Sequence, residues 1–176
     1  METDREVMAR VAGQDEAAFS ALVERYGGRL LAVARRLLGS RADAEDAVQR
    51  ALLQCYTAAS SYQPQWAVST WLYRILTNVC VDELRRRATR TAYGAARAVL
   101  DSAGTHEPRR DLDLHRALAR VPREARVLLA LRYAEGFSYG ELAQIRGISI
   151  NTVKSQLARG KALLREELGK RGTLHD

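Results

Sequence analysis

Asn151, Thr152, Lys154, Ser155 and Arg159 put short hydrogen-bonding side chains at the start of a helical pattern and cations further along it. A helix that enters the DNA major groove needs that order. Its first residues meet base edges, and long basic side chains reach the phosphates. Lys161 and Arg165 continue the basic flank, while Val153, Leu157, Gly160 and Leu164 recur at helical spacing and form the opposite, buried stripe. In front of this pattern, Ser138 and Glu141 have the three-residue spacing of a capping box. Gly147 supplies a sharp turn and Ser149 an N-cap, so residues 132–168 outline a helix-turn-helix. An amphipathic hairpin with a solvated basic face carries the same pattern, and on these residues alone both readings stand.

Another constellation lies on the segment from about Val68 to Ala88. Leu72, Ile75, Leu76, Val79 and Cys80 gather on one side of a helical wheel. Arg74, Asn78, Asp82 and Arg85 line another, with Trp66, Trp71 and Tyr73 at one end and Arg85-Arg86-Arg87 at the other. Aromatic rings beside cations can hold unstacked bases and their phosphates. The same residues also serve as core anchors and as cations complementing a helix dipole. The helix before it starts with Asp43, Glu45 and Asp46, which the dipole alone accounts for. Beside its apolar face of Val48, Leu52, Cys55 and Tyr56 runs a second stripe of Asp46, Gln49, Leu53 and Thr57, suited to docking another protein's helix.

The elements that position these groups are helical throughout, and no strand or hairpin signal appears. A first block from about Asp15 to Leu38 turns Phe19, Leu22, Val23, Tyr26, Leu30, Leu31 and Ala34 to one face and ends at Gly39. A second spans about Arg41 to Ser60, and the third follows the loop Ser61–Gln65. Periodicity fades over residues 88–111, where Gly, Ser, Thr and Pro accumulate, and returns at Leu112. A helical piece around Ala92 to Leu100 is compatible with that composition. The expectation is an all-α chain: two small helical domains joined by a flexible linker.

A net charge of +7 in 176 residues favours a polyanionic partner. No apolar run spans a bilayer, and the charged start METDREVMARVAGQDE is not a secretory signal, so a cytoplasmic protein is expected. Cys55 and Cys80 are then buried free thiols, and His106, His115 and His175 lack partners at zinc-ligand spacing. No metal site, cofactor or catalytic residue is expected, and an enzyme is the weakest reading.

The order of these features resembles the extracytoplasmic-function (ECF, group IV) bacterial RNA polymerase sigma factors over about residues 13–169. The resemblance rests on DEAAFSALVERY, ADAEDAVQRALLQCY, STWLYRILTNVCVDELRRR and LARVPREARVLLALRYAEGFSYGELAQIRGISINTVKSQLARGKALLREEL. It implies sigma region 2 over 13–88, a linker over 89–111 and a region 4 helix-turn-helix over 112–169. It implies as partners core RNA polymerase (its beta-prime clamp helices and beta subunit), promoter DNA and an anti-sigma factor able to hold the chain at the inner membrane. Carried onto this sequence, the polymerase contacts are Asp43, Glu45, Asp46, Gln49 and Leu53. The minus-ten contacts are Trp71, Arg74, Asn78, Asp82, Arg85 and Arg86, and the minus-thirty-five contacts are Asn151, Thr152, Lys154, Ser155 and Arg159. Three features depart from the family pattern. Arg50 stands where an acidic residue is usual, and is expected to repel a basic clamp-helix residue; Cys55 replaces a small residue; and the loop YQPQWAVST lacks the usual aromatic-Asp-Pro start. A stand-alone helix-turn-helix regulator, or a sigma mimic that sequesters an anti-sigma factor, accounts for part of the same pattern.

Overall fold

A computed structural model describes residues 1–93 and 109–172. The described residues form eight α-helices and one short 3-10 turn, with no strand among them. The first helix, α1 (Asp4–Ala12), falls in the charged start that carries no periodic signal, and it was not expected. Thr3 and Glu6 close a capping box around its first turn, with the Thr3 amide donating to Glu6 Oε2 at 2.7 Å. Val7, Met8 and Val11 are completely buried. Asp4 pairs with Arg25 at 2.9 Å and accepts from the Tyr26 hydroxyl, which fixes α1 on α2 (Glu16–Leu38). Between them Gln14 adopts a left-handed φ of 64°, and Asp15 caps α2 by accepting the amides of Ala17 and Ala18.

Gly39, at φ 79°, ends α2 and leads to the Ser40 cap of α3 (Arg41–Ala58). α3 buries Ala44, Ala47, Val48, Ala51 and Cys55. The alanines let its backbone come close to α2 and to α4 (Val68–Ala92), which continues four residues past the expected Ala88. α4 is buried around most of its circumference, including Leu72, Tyr73, Leu76, Thr77, Val79, Cys80 and Val81, because α2, α3 and the C-terminal half all pack on it. Ala92, where a helical piece was expected to begin, is the last residue of α4 and Tyr93 its cap; the rest of that piece up to Leu100, and the linker on to residue 108, lie outside the described residues.

The C-terminal half comprises α5 (Arg109–Ala119), α6 (Arg123–Glu135), α7 (Tyr139–Arg146) and α8 (Ile150–Gly172). The expected capping box is formed: the Ser138 amide donates to Glu141 Oε2 at 2.7 Å, and the Glu141 amide donates to Ser138 Oγ at 3.2 Å. Gly147, at φ 65°, makes the turn, and Ser149 Oγ accepts the Thr152 amide at 3.1 Å. α8 lies against α6 where Gly160 meets Ala125 and Leu129; a Cβ on Gly160 would come within 3.1 and 3.0 Å of them. This close approach explains the place of a glycine in an otherwise apolar stripe. Among the described residues no helix is long and apolar enough to cross a membrane. The two helical halves touch along α4 with α7 and along α2 with α5 and α6.

Candidate polymerase and nucleic-acid interfaces

On α3 the residues expected to meet polymerase divide by what they already hold. Gln49 and Leu53 face solvent, Leu53 at 64% exposure, so an apolar side chain stands open among polar neighbours. Glu45 pairs with Arg41 at 2.8 Å along the exposed edge. Asp43 is half-buried and binds Arg87, whose Nη1 also donates to the Leu38 carbonyl at 2.7 Å. Asp43 therefore ties α3 to α4 and to the end of α2 as well as standing in the acidic first turn.

Arg50 has a different place from the one expected for a repelling surface cation. It pairs with Asp46 at 2.9 Å and reaches Glu83 of α4 at 3.8 Å. Glu83 is only 14% exposed and also draws Arg87 at 3.5 Å, Arg90 at 3.3 Å and Arg86 at 3.8 Å. Arg50 is thus one of four cations around a recessed carboxylate, a brace between α3 and α4. Its charge is largely answered within the chain.

Along α4 the six expected minus-ten residues fall into three settings. Trp71 is half-buried, edge-on to Tyr62 with ring centres 5.5 Å apart, so it packs against the loop. Arg74 lies 5.5 Å from the Trp66 ring centre, and its Nη1 donates to the Gln144 carbonyl of α7 at 3.0 Å. Asn78 Oδ1 accepts from Arg146 Nη1 at 3.0 Å. Asp82, Arg85 and Arg86 are exposed at the C-terminal end, with Asp82 and Arg85 3.6 Å apart.

α8 presents Asn151, Lys154, Ser155 and Arg159 to solvent. Thr152 is half-buried, its hydroxyl 2.9 Å from Ser149 Oγ, and Ser155 Oγ donates to the Thr152 carbonyl at 3.1 Å. Val153 and Leu157 are buried on the opposite side. The helix therefore offers a continuous polar and cationic face held on a rigid apolar back, the geometry needed to lie in a groove.

Arg146 stands in the sequence only as the neighbour of the turn glycine, with no sign of a further role. Its side chain is 7% exposed. It grips Glu124 through two bonds of 2.9 and 3.1 Å, and donates to Thr77 Oγ1 at 2.9 Å. The two cysteines are free and buried, and burial pushes both thiols up to about 12. His115 lies against Gly39; burial, then Arg126 and Arg87, lower its pKa. Among the described residues no three His, Cys, Asp or Glu side chains converge as a metal site.

Two family models match the chain: Sigma-70 region 2 over residues 22–90, and Sigma-70 region 4 over residues 111–164. The ECF RNA polymerase sigma factor SigM of Mycobacterium tuberculosis is 33% identical over 167 residues, covering 95% of this chain and 85% of that protein. The chain belongs to the ECF RNA polymerase sigma factors. The ECF sigma factor SigW of Bacillus subtilis is 28% identical over 169 residues, covering 88% of this chain and 90% of SigW. Among solved structures, CnrH in complex with the cytosolic domain of CnrY matches with a TM-score of 0.76 and 25% identity, covering 96% of this chain and 99% of that one. The sigma factor RpoE of Bartonella quintana, in complex with the anti-sigma factor NepR, matches with a TM-score of 0.69 and 27% identity, over 86% of this chain and 96% of RpoE. In this sigma factor the region 2 match takes in α3 and nearly all of α4, and the region 4 match takes in α6, α7 and α8 as far as residue 164. α1 precedes both.

Proposed function

We propose that this ECF sigma factor joins core RNA polymerase and directs promoter-specific initiation through three surfaces, and that it belongs to group IV. Asp43, Glu45, Asp46, Gln49 and Leu53 dock the polymerase, by the family's pattern on the beta-prime clamp helices. Trp71, Arg74, Asn78, Asp82, Arg85 and Arg86 serve the minus-ten element, and Asn151, Thr152, Lys154, Ser155 and Arg159 read the minus-thirty-five element. Residues 13–88, 89–111 and 112–169 divide these tasks as region 2, linker and region 4. The group IV assignment rests on the two matched regions, which occupy most of the chain.

The observation that carries the reading is the coexistence of an open Leu53 on an acidic helix with an exposed polar and cationic face on α8. A duplex-binding regulator requires only the second. Both surfaces are presented by rigid helices, so neither needs a folding step before use. The chain supplies recognition and leaves phosphodiester chemistry to the polymerase. The solved neighbour bound to an anti-sigma factor supports regulation of this chain by such a partner. Run-off transcription on a promoter library, with core polymerase in the presence and absence of the chain, tests the reading. Transcripts that start at discrete sites only when both are present are expected. Specific duplex binding by the chain alone, with no effect on core polymerase, would replace it with the regulator reading.

A further inference from the structure

Tyr62 is tied at three points just before α4. Its hydroxyl donates to the Trp66 carbonyl at 2.5 Å, its ring meets Trp71 edge-on with centres 5.5 Å apart, and Arg5 of α1 approaches the same hydroxyl. The loop that follows Tyr62 is also closed by its own bonds. The Trp66 amide donates to the Gln63 carbonyl at 3.0 Å, and Gln65 Nε2 donates to Gln63 Oε1 at 2.6 Å. Tyr62 and Trp66 are half-buried, while Gln63, Pro64 and Gln65 face solvent. Trp66, its backbone fixed by Tyr62, places its ring 5.5 Å from the Arg74 guanidinium. Arg74 has a second anchor in the Gln144 carbonyl of α7, but Trp66 lies in its own half of the molecule.

Trp71, Arg74 and Asn78 follow one another at spacings of three and four and so share one side of α4. One side chain reaches two of these three: Trp71 by ring contact, and Arg74 by way of Trp66. We infer that Tyr62 is a positioning residue for promoter reading, holding Trp71 and, through Trp66, Arg74 in the orientation from which they meet a nucleic-acid strand. The inference rests on the reading of α4 as the minus-ten helix. A guanidinium already stacked on a ring loses less freedom when it binds, and its planar fork arrives in one direction. Without that seat Arg74 samples several directions and meets neighbouring bases and phosphates alike, so discrimination falls more than total affinity. Tyr62→Phe keeps the ring against Trp71 and removes only the hydroxyl, which isolates the arm through Trp66 to Arg74.

The test uses the full-length chain assembled with core polymerase, and a forked DNA library whose duplex minus-thirty-five segment and single-stranded minus-ten segment are both randomised. Bound DNA is recovered and sequenced, which gives a preference ratio at every position. Tyr62→Phe should lower that ratio about three- to tenfold at one or two adjacent minus-ten positions, the worth of one net hydrogen bond, and leave the other positions within about twofold. Arg74→Gln should flatten the same positions, and Tyr62→Phe should add little to it, because both act through one contact. Core-polymerase affinity of Tyr62→Phe should match wild type, and circular dichroism should show it folded. Wild-type preferences at every position in Tyr62→Phe would overturn the inference. So would an even loss over all positions, the mark of a purely structural residue, or a loss at positions that Arg74→Gln leaves intact. A wild-type holoenzyme that enriches no minus-ten sequence would instead remove the reading of α4, and this inference with it.

Discussion

Reversing the charge at Arg50 tests whether it is a solvated cation that repels the polymerase or an internal brace. Its pair with Asp46 spans one helical turn on a 63% exposed carboxylate, and such pairs are worth about 0.3–0.5 kcal/mol. Glu83 contributes more, being 14% exposed. A second carboxylate at the 3.8 Å now separating Arg50 from Glu83 would be repelled by roughly 4 kcal/mol at an effective dielectric of about 20. Arg86, Arg87 and Arg90 remain to offset that repulsion, and the new side chain can swing toward solvent. Arg50→Glu should therefore destabilise the fold by about 1–3 kcal/mol, lowering the melting temperature by about 2–12 °C for a chain of this size. Arg41→Glu is the control, because Arg41 is 62% exposed and pairs within one helix with Glu45, itself exposed at 45%. It should cost under about 1 kcal/mol. Thermal melts followed by circular dichroism, paired with surface-immobilised core polymerase binding, read both effects. If Arg50→Glu leaves the melting temperature within about 1 °C of wild type and strengthens polymerase binding, Arg50 is a solvated repelling cation and the brace argument is wrong.

Three further outcomes follow from the same contacts. His115 has a lowered pKa in the folded chain, so the unfolded chain holds more protons between that value and the ordinary one near 6.5. Its contribution to stability is complete above about pH 6.5 and is lost as pH falls toward the folded value; His115→Gln should flatten the loss of melting temperature between pH 7.5 and 5.5, and an unchanged slope would remove His115 as its source. Gly160→Val forces a Cβ and two methyl groups between α8 and the Ala125–Leu129 surface and should cost about 1–3 kcal/mol in urea denaturation, whereas Gly169→Val, where an added Cβ meets no atom within 4 Å, should cost less than about 1 kcal/mol. Arg159→Ala should weaken upstream promoter binding: loss of a base contact costs about 1–3 kcal/mol at one sequence position, and loss of a phosphate contact lowers the salt slope by about one for all sequences.

The parts of this molecule that were legible in the sequence are those whose physics is local. The capping box of Ser138 and Glu141, the turn at Gly147 and the outward set on α8 all depend on residues within a few positions of one another. α1 carried a local signal too, in Thr3 and Glu6, but its nine residues bury only Val7, Met8 and Val11, too short a stripe to stand out against a charged segment. α4 misled for the opposite reason. It is packed on several sides, so a helical wheel divides buried from exposed poorly; Trp71 was compatible with both a base-stacking ring and a core anchor, and it packs on Tyr62. The pairs that join the halves are 106 residues apart for Arg29 and Glu135 and 68 for Asn78 and Arg146. Contacts at such separation leave no periodic trace. The same holds for Arg50, whose second partner, Glu83, lies on the next helix.

Permanganate footprinting of promoter thymines is the most direct measurement of whether this chain is the initiation subunit. Thymines in the minus-ten segment should become reactive when the chain and core polymerase are both present and remain protected with either alone. Leu53→Glu, which puts a charge on the open apolar position of α3, should abolish reactivity by blocking assembly. Melting by the isolated chain, or undiminished melting by Leu53→Glu with core polymerase, would contradict the account.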